Sequence, residues 1–244
     1  MSDAVSLDEP PCIVRLPLAA RLLGKAMALA YRLTGRHRYD DYRVERILGL
    51  HFLVTPSVFN PKVPRTGMFL AGQLEPRVVA PGCTVLDMGT GSGVGAVFAA
   101  RHARRVVAVD INEAAVRCAA INALLNGMER KIELRHGDLF APLGGERFDL
   151  ILFNPPFVSG RPRDARDRAW RSVDVAERFA AGLAAHLNPG GSALVVLSTF
   201  GDARLFLAEF AKQGLEISVL AQRRFVNERL TLFRLRPLRD GAAG

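Results

Sequence analysis

Four consecutive residues, Asn154-Pro155-Pro156-Phe157, combine the groups needed to hold a planar molecule that carries an NH2 group. The two prolines fix φ and remove two N–H donors, and they push Asn154 toward an extended conformation. The Asn154 oxygen and a proline carbonyl can each accept one N–H, and Phe157 can stack on the plane. By itself the tetrapeptide is equally well explained as a rigid turn at the end of a strand, so its meaning depends on the upstream sequence.

The elements that must position this turn alternate regularly after Pro81-Gly82. Predicted strands cover 84–87, 106–110, 132–135, 150–153 and 193–197, and predicted helices cover 94–102, 113–125, 173–187 and 203–212. Two last strands, 216–221 and 230–235, have too short a connection for a helical crossover and should form an antiparallel hairpin. This order predicts an α/β fold with a doubly wound, mostly parallel seven-stranded sheet.

Three segments are expected along the chain: a helical N-terminal extension (1–50), a connecting strand, loop and helix (51–80), and the sheet domain (81–240). An amphipathic helix over 16–33 carries a basic stripe. That stripe is either a surface for an anionic partner or the solvated face of a helix packed on the main domain. A second short helix is expected over 42–50 and a strand-like segment over 51–59. Thr66 is the expected N-cap of a helix that runs toward Val79.

A glycine-rich loop, Asp87-Met88-Gly89-Thr90-Gly91-Ser92-Gly93, joins the first strand of the sheet domain to the next helix. Glycines let the backbone approach a ligand closely, and Asp110 stands where an acid is expected to bind ribose hydroxyls. The spacing is G-x-G-x-G rather than the G-x-G-x-x-G of dinucleotide sites, and the Asp87 carboxylate would repel a pyrophosphate. S-adenosylmethionine has no phosphate and carries an ammonium and a sulfonium, so these residues favour it as the cofactor.

Two further residues could line a site at the same edge of the sheet. Asp138 follows the third predicted strand and could bind an adenine amino group while Leu139 covers the ring; the alternative is an aspartate that only forms a turn. The basic segment 160–171 follows the tetrapeptide and contains the only tryptophan, Trp170. This tryptophan either contacts the substrate or anchors the next helix.

Four segments, taken in this order, resemble the class I S-adenosylmethionine-dependent methyltransferases, and within them the amino-methylating branch that carries an (N/D)PP(F/Y) motif. They are Val85–Gly93, Val109–Asn112, Gly137–Phe140 and Asn154–Phe157. The sequence is most similar to the HemK/PrmC-like glutamine N5-methyltransferases and to the related rRNA guanine N2-methyltransferases. The similarity runs from Val54 to Leu235, and the segment before residue 81 is similar to the part of HemK-like proteins that covers the cofactor.

The resemblance implies a division of roles among the site residues. Asn154 and the Pro155 carbonyl would bind the NH2 group that is methylated, Phe157 would stack on the substrate, and Pro156 and Trp170 would contact it as well. The two acceptors would orient the nitrogen lone pair toward the methyl carbon and stabilise the charge that develops on nitrogen. The residues implied to bind the cofactor are Asp87, Gly89, Thr90, Gly91, Gly93, Asp110, Ile111, Asp138, Leu139 and Asn154.

Composition narrows the remaining possibilities. The net charge of +9 would favour a polyanion such as RNA or the ribosome, or would simply keep the protein soluble. No apolar run reaches the ~20 residues needed to span a bilayer, and acidic residues near the start do not fit a secretory signal. Three widely spaced cysteines without metal-ligand spacing indicate a reduced cytoplasmic protein with no metal site. Nothing in the sequence predicts an oligomeric state.

Three functions stay open from the sequence. The first is methylation of nitrogen on a macromolecule, either a protein glutamine or a nucleobase amine. The second is methylation of a small metabolite. The third is nucleic-acid binding by a chain that keeps the fold without the activity, and the intact Asp87, Asp110 and Asn154 argue against it.

Overall fold

A computed structural model describes residues 41–61, 65–156, 158–159, 171–172 and 174–238. The strands are β1 (Arg43–Ile47), β2 (Leu50–Val54), β3 (Thr84–Met88), β4 (Arg105–Asp110), β5 (Ile132–His136), β6 (Phe148–Phe153), β7 (Val158–Ser159), β8 (Arg171–Ser172), β9 (Leu187–Ser198), β10 (Leu215–Arg224) and β11 (Arg229–Pro237). The helices are α1 (Thr66–Ala71), α2 (Val94–Ala100), α3 (Glu113–Leu125), α4 (Val175–Leu183) and α5 (Ala203–Lys212), with 3-10 turns at Ala141–Leu143 and Ala184–His186. None of the helices in these ranges has the length and hydropathy required to cross a membrane.

Seven strands form the central sheet in the order β10-β11-β9-β6-β3-β4-β5. Neighbours from β9 to β5 pair in parallel, whereas β11 is antiparallel to both β9 and β10. The predicted fold class, a doubly wound and mostly parallel sheet with a C-terminal antiparallel hairpin, is confirmed. All parallel strands end at one edge, where α/β folds place their ligands.

The sheet is buried on both faces, which explains the continuous apolar runs of its strands. In β4, Val106 and Ala108 pack in the cluster that contains α1 and α2. Val107 and Val109 pack in the cluster on the other face, with α4 and α5. Polar chemistry is therefore restricted to the ends of the strands.

The expected helix over 42–50 is wrong, because these residues form the antiparallel β1–β2 hairpin instead. Leu48 and Gly49 form the turn with φ of 47° and 93°, the positive values that a two-residue hairpin turn requires. The hairpin crosses the expected boundary at residue 50. The amphipathic helix expected over 16–33 lies outside the described residues.

Helix α1 is shorter than expected and begins differently. Arg65 occupies the N-cap position with φ of 58°, and Thr66 is the first helical residue rather than the cap. The Thr66 hydroxyl is buried and has no hydrogen-bond partner among the described residues, so it does not cap the helix. The helix ends before Gly72, and the N–H groups of Val78 and Val79 both bond to Glu75 in a separate turn.

Asn122, on α3, holds the β2 segment against the main domain. Its amide oxygen accepts from the Leu53 N–H at 2.7 Å, and its amide nitrogen donates to the Leu53 carbonyl at 2.7 Å and to the Ser92 carbonyl at 2.8 Å. The side chain thus pairs with Leu53 as a neighbouring strand would. It also connects β2 to the glycine-rich loop.

Two more asparagines flank this contact. Asn126 donates to the His51 carbonyl at 3.0 Å, and Asn112 donates to the Ser57 carbonyl at 3.1 Å. We call Asn112, Asn122 and Asn126 the asparagine ladder. Because it bonds to backbone groups, the ladder fixes the path of 51–57 along α3 whatever side chains that segment carries.

We expect Asn122→Leu to lower the free energy of unfolding by about 3 kcal/mol. It leaves the Leu53 N–H and the Ser92 carbonyl without these bonds, at ~1–3 kcal/mol each, and the Leu53 carbonyl then keeps only the Cys118 thiol, at 3.2 Å. Urea denaturation followed by circular dichroism measures the loss. The matched control is Asn126→Leu, whose contact with His51 is exposed and should cost less than about 1 kcal/mol. Equal losses in the two variants would show that Asn122 has no special role.

Candidate active site

A cavity of about 410 Å³ opens at the carboxyl edge of the sheet, within the ~300–1,000 Å³ range of small-ligand sites. It brings together most of the residues that the sequence singled out: Asp87, Gly89, Thr90, Gly91, Asp110, Ile111, Asp138, Leu139, Asn154, Pro155 and Pro156. Phe157 and Trp170 lie outside the residues whose side chains the structure describes. Gly93 belongs to the loop but not to the cavity wall.

The glycine-rich loop is held on two sides. The Thr90 N–H donates to the Val109 carbonyl at 3.0 Å, which joins the loop to β4. Gly93 has φ of 82°, and a Cβ there would lie 3.0 Å from Ala119 Cα. Gly93 therefore lets the loop pack directly on α3, which explains its presence without any contact to a ligand.

Asp87 is the penultimate residue of β3 and is only 4% exposed. Its Oδ2 accepts from the Thr90 hydroxyl at 2.6 Å and from the Ala96 N–H at 2.8 Å. Burial, with a smaller contribution from the charge of Asp110, raises the pKa of Asp87 from an ordinary 3.8 to about 6. At neutral pH the cavity therefore contains a buried anion that a bound cation would stabilise.

Gly95 is a requirement that the sequence did not reveal. A Cβ at this position would lie 2.6 Å from Asp87 Oδ1, well inside van der Waals contact. Only glycine lets the first turn of α2 enclose the carboxylate. The residues around Gly95 in the sequence form an ordinary helix, so nothing near it indicates that a larger residue would meet Asp87.

Asp110 ends β4 and faces the same cavity. Its Oδ2 accepts from the Gly91 N–H and its Oδ1 from the Asn112 N–H, each at 2.8 Å. Burial raises its pKa. Asp110 does not cap α3, because Asn112 does so by accepting from the Ala114 N–H at 3.0 Å. The carboxylate is thus held in place at the edge of the cavity.

Asp138 forms an ion pair that the sequence did not predict. Its Oδ2 accepts from Arg178 Nη2 at 2.6 Å, and Arg178 Nη1 lies 3.6 Å from Asp174. The bond to Asp138 is the main cause of the raised pKa of Arg178. Arg178 lines the cavity, 40 residues away from Asp138 in sequence, which is why no motif pointed to it.

Asn154 follows β6, whose last residue is anchored by aromatic packing. The Phe153 ring stacks on Phe179 of α4 at 4.3 Å between centroids, and both rings are buried. Asn154 lines the cavity, and its Oδ1 is buried without a hydrogen-bond partner among the described residues. A buried acceptor in this state costs ~1–3 kcal/mol, a cost that an incoming N–H donor would remove.

The opposite wall comes from the connecting segment. Ser57, Phe59 and Pro61 line the cavity together with Gly67 and Leu70 of α1. The asparagine ladder holds this wall in place, since Asn112 bonds both to Ser57 and to the end of β4. Residues 51–80 therefore border the same cavity as the strand ends.

These groups fit S-adenosylmethionine by their chemistry. The cavity wall carries a buried carboxylate, Asp87, that suits a cation. A second carboxylate, Asp110, follows the adjacent strand where ribose hydroxyls are bound in such folds. Within the described ranges, no group of histidine, cysteine and acidic residues could hold a metal ion.

Comparisons with known proteins agree with this chemistry. Residues 49–223 match the methyltransferase small domain. A release factor glutamine methyltransferase from Cereibacter sphaeroides is 37% identical, with 80% of this chain and 74% of the relative covered. One from Geobacter sulfurreducens is 34% identical, with 88% and 80% covered. The T. thermophilus 16S rRNA methyltransferase RsmC, solved with AdoMet and guanosine, has a TM-score of 0.59 at 28% identity and covers 79% of this chain and 49% of that one.

We expect Gly95→Ala to weaken S-adenosylmethionine binding by at least about tenfold, because its Cβ must displace the Asp87 carboxylate. Helix propensity alone would favour alanine by ~1 kcal/mol, so a loss of affinity cannot come from a weaker helix and points to the displaced carboxylate. Isothermal titration calorimetry measures the affinity. Gly72→Ala is the control, since a Cβ there meets nothing closer than 3.4 Å. Unchanged affinity in Gly95→Ala would contradict the assigned packing.

The pH dependence of cofactor binding should report the protonation of Asp87. Its pKa of about 6 in the folded protein lies above the ordinary 3.8, so the group is protonated below pH 6 and ionised above it. A cationic cofactor prefers the ionised form, and its affinity should therefore fall as pH drops through 6, by up to ~10-fold per unit. Calorimetry at several pH values tests this. Asp87→Asn should bind weakly at every pH, and a variant as pH-dependent as the wild type would assign the effect to another group such as Asp110.

Proposed function

We propose that this chain, which belongs to the methyltransferase small domain family and is an S-adenosylmethionine-dependent methyltransferase, methylates an amide or exocyclic amino nitrogen of a macromolecule in the cytoplasm. The acceptor would be a protein glutamine or a nucleobase. The observation that carries the proposal is the buried, unpartnered Oδ1 of Asn154 in the wall of the cofactor cavity. Relatives named as glutamine and rRNA methyltransferases support a macromolecular acceptor.

The turn after β6 would select a nitrogen acceptor because its two acceptor oxygens require a group with two N–H donors. Asn154 Oδ1 and the Pro155 carbonyl would each accept one N–H of the substrate NH2 group. An oxygen acceptor offers at most one such donor and a carbon acceptor offers none, so neither would satisfy both carbonyls. Pro156, Phe157 and Trp170 would contact the remainder of the substrate.

The same two bonds would activate a poor nucleophile. The lone pair of an amide or aromatic amine is delocalised, and acceptors on both N–H groups make the nitrogen more electron-rich and orient it. S-adenosylmethionine supplies a methyl group already activated by its sulfonium. No strong base is needed in advance, because the methylated nitrogen readily releases its proton.

The other cavity residues would hold the cofactor. Asp110 would bind the ribose hydroxyls, with Ile111 beside it, and Asp138 would accept the adenine amino group. The loop residues Gly89, Thr90 and Gly91 would pass close to the cofactor, whose cationic end Asp87 would stabilise. Arg178 would act indirectly by orienting Asp138. Leu139, which has φ of 47°, would cover the adenine ring.

The test is transfer of labelled methyl from S-adenosylmethionine into protein, RNA and small-molecule fractions of a lysate. Wild-type enzyme should label protein or RNA, and Asn154→Ala should reduce the rate by about 10²-fold or more with cofactor affinity nearly unchanged. The matched control is Asn188→Ala, which alters another Asn-Pro pair, far from the cavity, where the Asn188 amide donates to Asp149 at the amino edge of the sheet at 2.7 Å. Label confined to small molecules would contradict a macromolecular acceptor. Loss of cofactor binding in Asn154→Ala would contradict its role toward the methyl acceptor and assign it to the cofactor instead.

A further inference from the structure

A basic and aromatic surface lies beside the cavity, at the tip of the β10–β11 hairpin. We call Arg65, Arg223, Arg224 and Phe225 the hairpin rim. The hairpin reaches the carboxyl edge of the sheet. Phe153, the last residue of β6, pairs with Val195 of β9, and Leu230 of β11 pairs with Ser198, three residues further along β9. Arg65 directly precedes α1, whose Gly67 and Leu70 line the cavity. The rim therefore lies at the same edge of the sheet as the cavity that contains Asn154.

The tip of the hairpin is held in one conformation. The Phe225 N–H donates to the Glu228 carbonyl at 2.6 Å, and the Ser198 hydroxyl donates to the buried Glu228 carboxylate at 2.6 Å. The Arg229 N–H donates to the Thr199 hydroxyl at 3.0 Å. These bonds tie the tip to the end of β9, so a partner would not have to order a loose loop on binding.

Two arginines converge on the ring of Phe225. The guanidinium of Arg65 lies 4.5 Å from the ring centroid and that of Arg223 lies 5.3 Å from it, which is cation–π distance. Arg65 has a left-handed backbone, which costs a non-glycine residue roughly 1–2 kcal/mol. This strained backbone conformation places the Arg65 side chain over the Phe225 ring.

The exposed charge of the rim is positive. Arg65, Arg223 and Arg224 are exposed, whereas Glu228, which is the sole acidic residue in the sequence from 222 to 229, is buried. Two exposed apolar side chains accompany these charges. Val226 follows Phe225 and is 85% exposed, and Phe200, 46% exposed, has its N–H bonded to the Ser198 hydroxyl that donates to Glu228. The rim thus offers an anionic partner both charge and apolar surface.

We infer that the hairpin rim binds RNA, in a single-stranded or loop form, and holds it next to the Asn154 turn. Guanidiniums contact phosphates, while flat guanidinium and aromatic faces and exposed apolar side chains accept unstacked bases. An acidic peptide would satisfy the arginines but would leave Val226 and Phe200 in water. RNA binding by the rim does not depend on methyl transfer. The idea that the rim delivers the methyl acceptor rests on the proposed function.

The experiment is fluorescence anisotropy of the full chain with a labelled RNA stem-loop over a range of salt concentrations. The double variant Arg223→Ala/Arg224→Ala should weaken binding by at least about tenfold and reduce the salt slope by about 2. Phe225→Leu keeps the charge and removes the ring, and it should weaken binding several-fold. The matched control is Arg101→Ala/Arg104→Ala, an exposed pair before β4 at the opposite edge, in which Arg101 also lies over a phenylalanine ring, that of Phe98. The control should change affinity by less than about twofold.

Equal weakening in the control and rim variants would overturn the inference, because attraction would then come from overall charge. Tighter binding of a polyglutamate peptide than of RNA would overturn it in favour of an acidic protein partner. Calorimetry with S-adenosylmethionine should give wild-type affinity for all variants. Methyl transfer without RNA binding would overturn only the claim that the hairpin rim binds RNA. RNA binding without methyl transfer would overturn only the proposed function.

Discussion

At the end of β3, one oxygen of a buried carboxylate accepts hydrogen bonds from the Thr90 hydroxyl and the Ala96 amide. That oxygen joins the strand, the glycine-rich loop and α2 at a single point. The arrangement requires Gly95 opposite Asp87 and places a negative charge where solvent cannot screen it. The same feature therefore shapes the loop and favours a cationic cofactor over one with a pyrophosphate.

Other parts of the site are held together by side chains that bond to groups distant in sequence. Asn122 bonds both to the glycine-rich loop and to Leu53, so the loop and the covering segment are fixed by one amide. Arg178 plays a comparable part between α4 and Asp138. Bonds to backbone groups tolerate a change of side chain in the segment that they hold.

The sequence predicts the site best where a site residue comes directly after the apolar run of a buried strand. The predicted helix over 113–125 matches α3, and Asp110 and Asn154 were identified because each comes immediately after an apolar run. The residues that sequence reasoning missed act through contacts that exist only in the folded chain: Gly95 with the Asp87 carboxylate, Asn122 with Leu53 and Ser92, and Arg178 with Asp138. The helix expected over 42–50 is wrong because so short a segment cannot be assigned to helix or strand by its periodicity alone, whereas the strand-like segment that begins at residue 51 overlaps β2. The binding and catalytic roles of all the site residues stay predictions, and the side chains of Phe157 and Trp170 lie outside the described residues.

The central claim is that the acceptor atom is nitrogen, chosen by two carbonyl oxygens at the end of β6. The most direct measurement is the ¹³C chemical shift of the product methyl group after reaction with S-adenosylmethionine labelled at its methyl carbon. Protein and RNA from cells that lack this enzyme serve as the acceptor. The account predicts a signal characteristic of a methyl group bonded to nitrogen. A methyl group bonded to oxygen or carbon would contradict it.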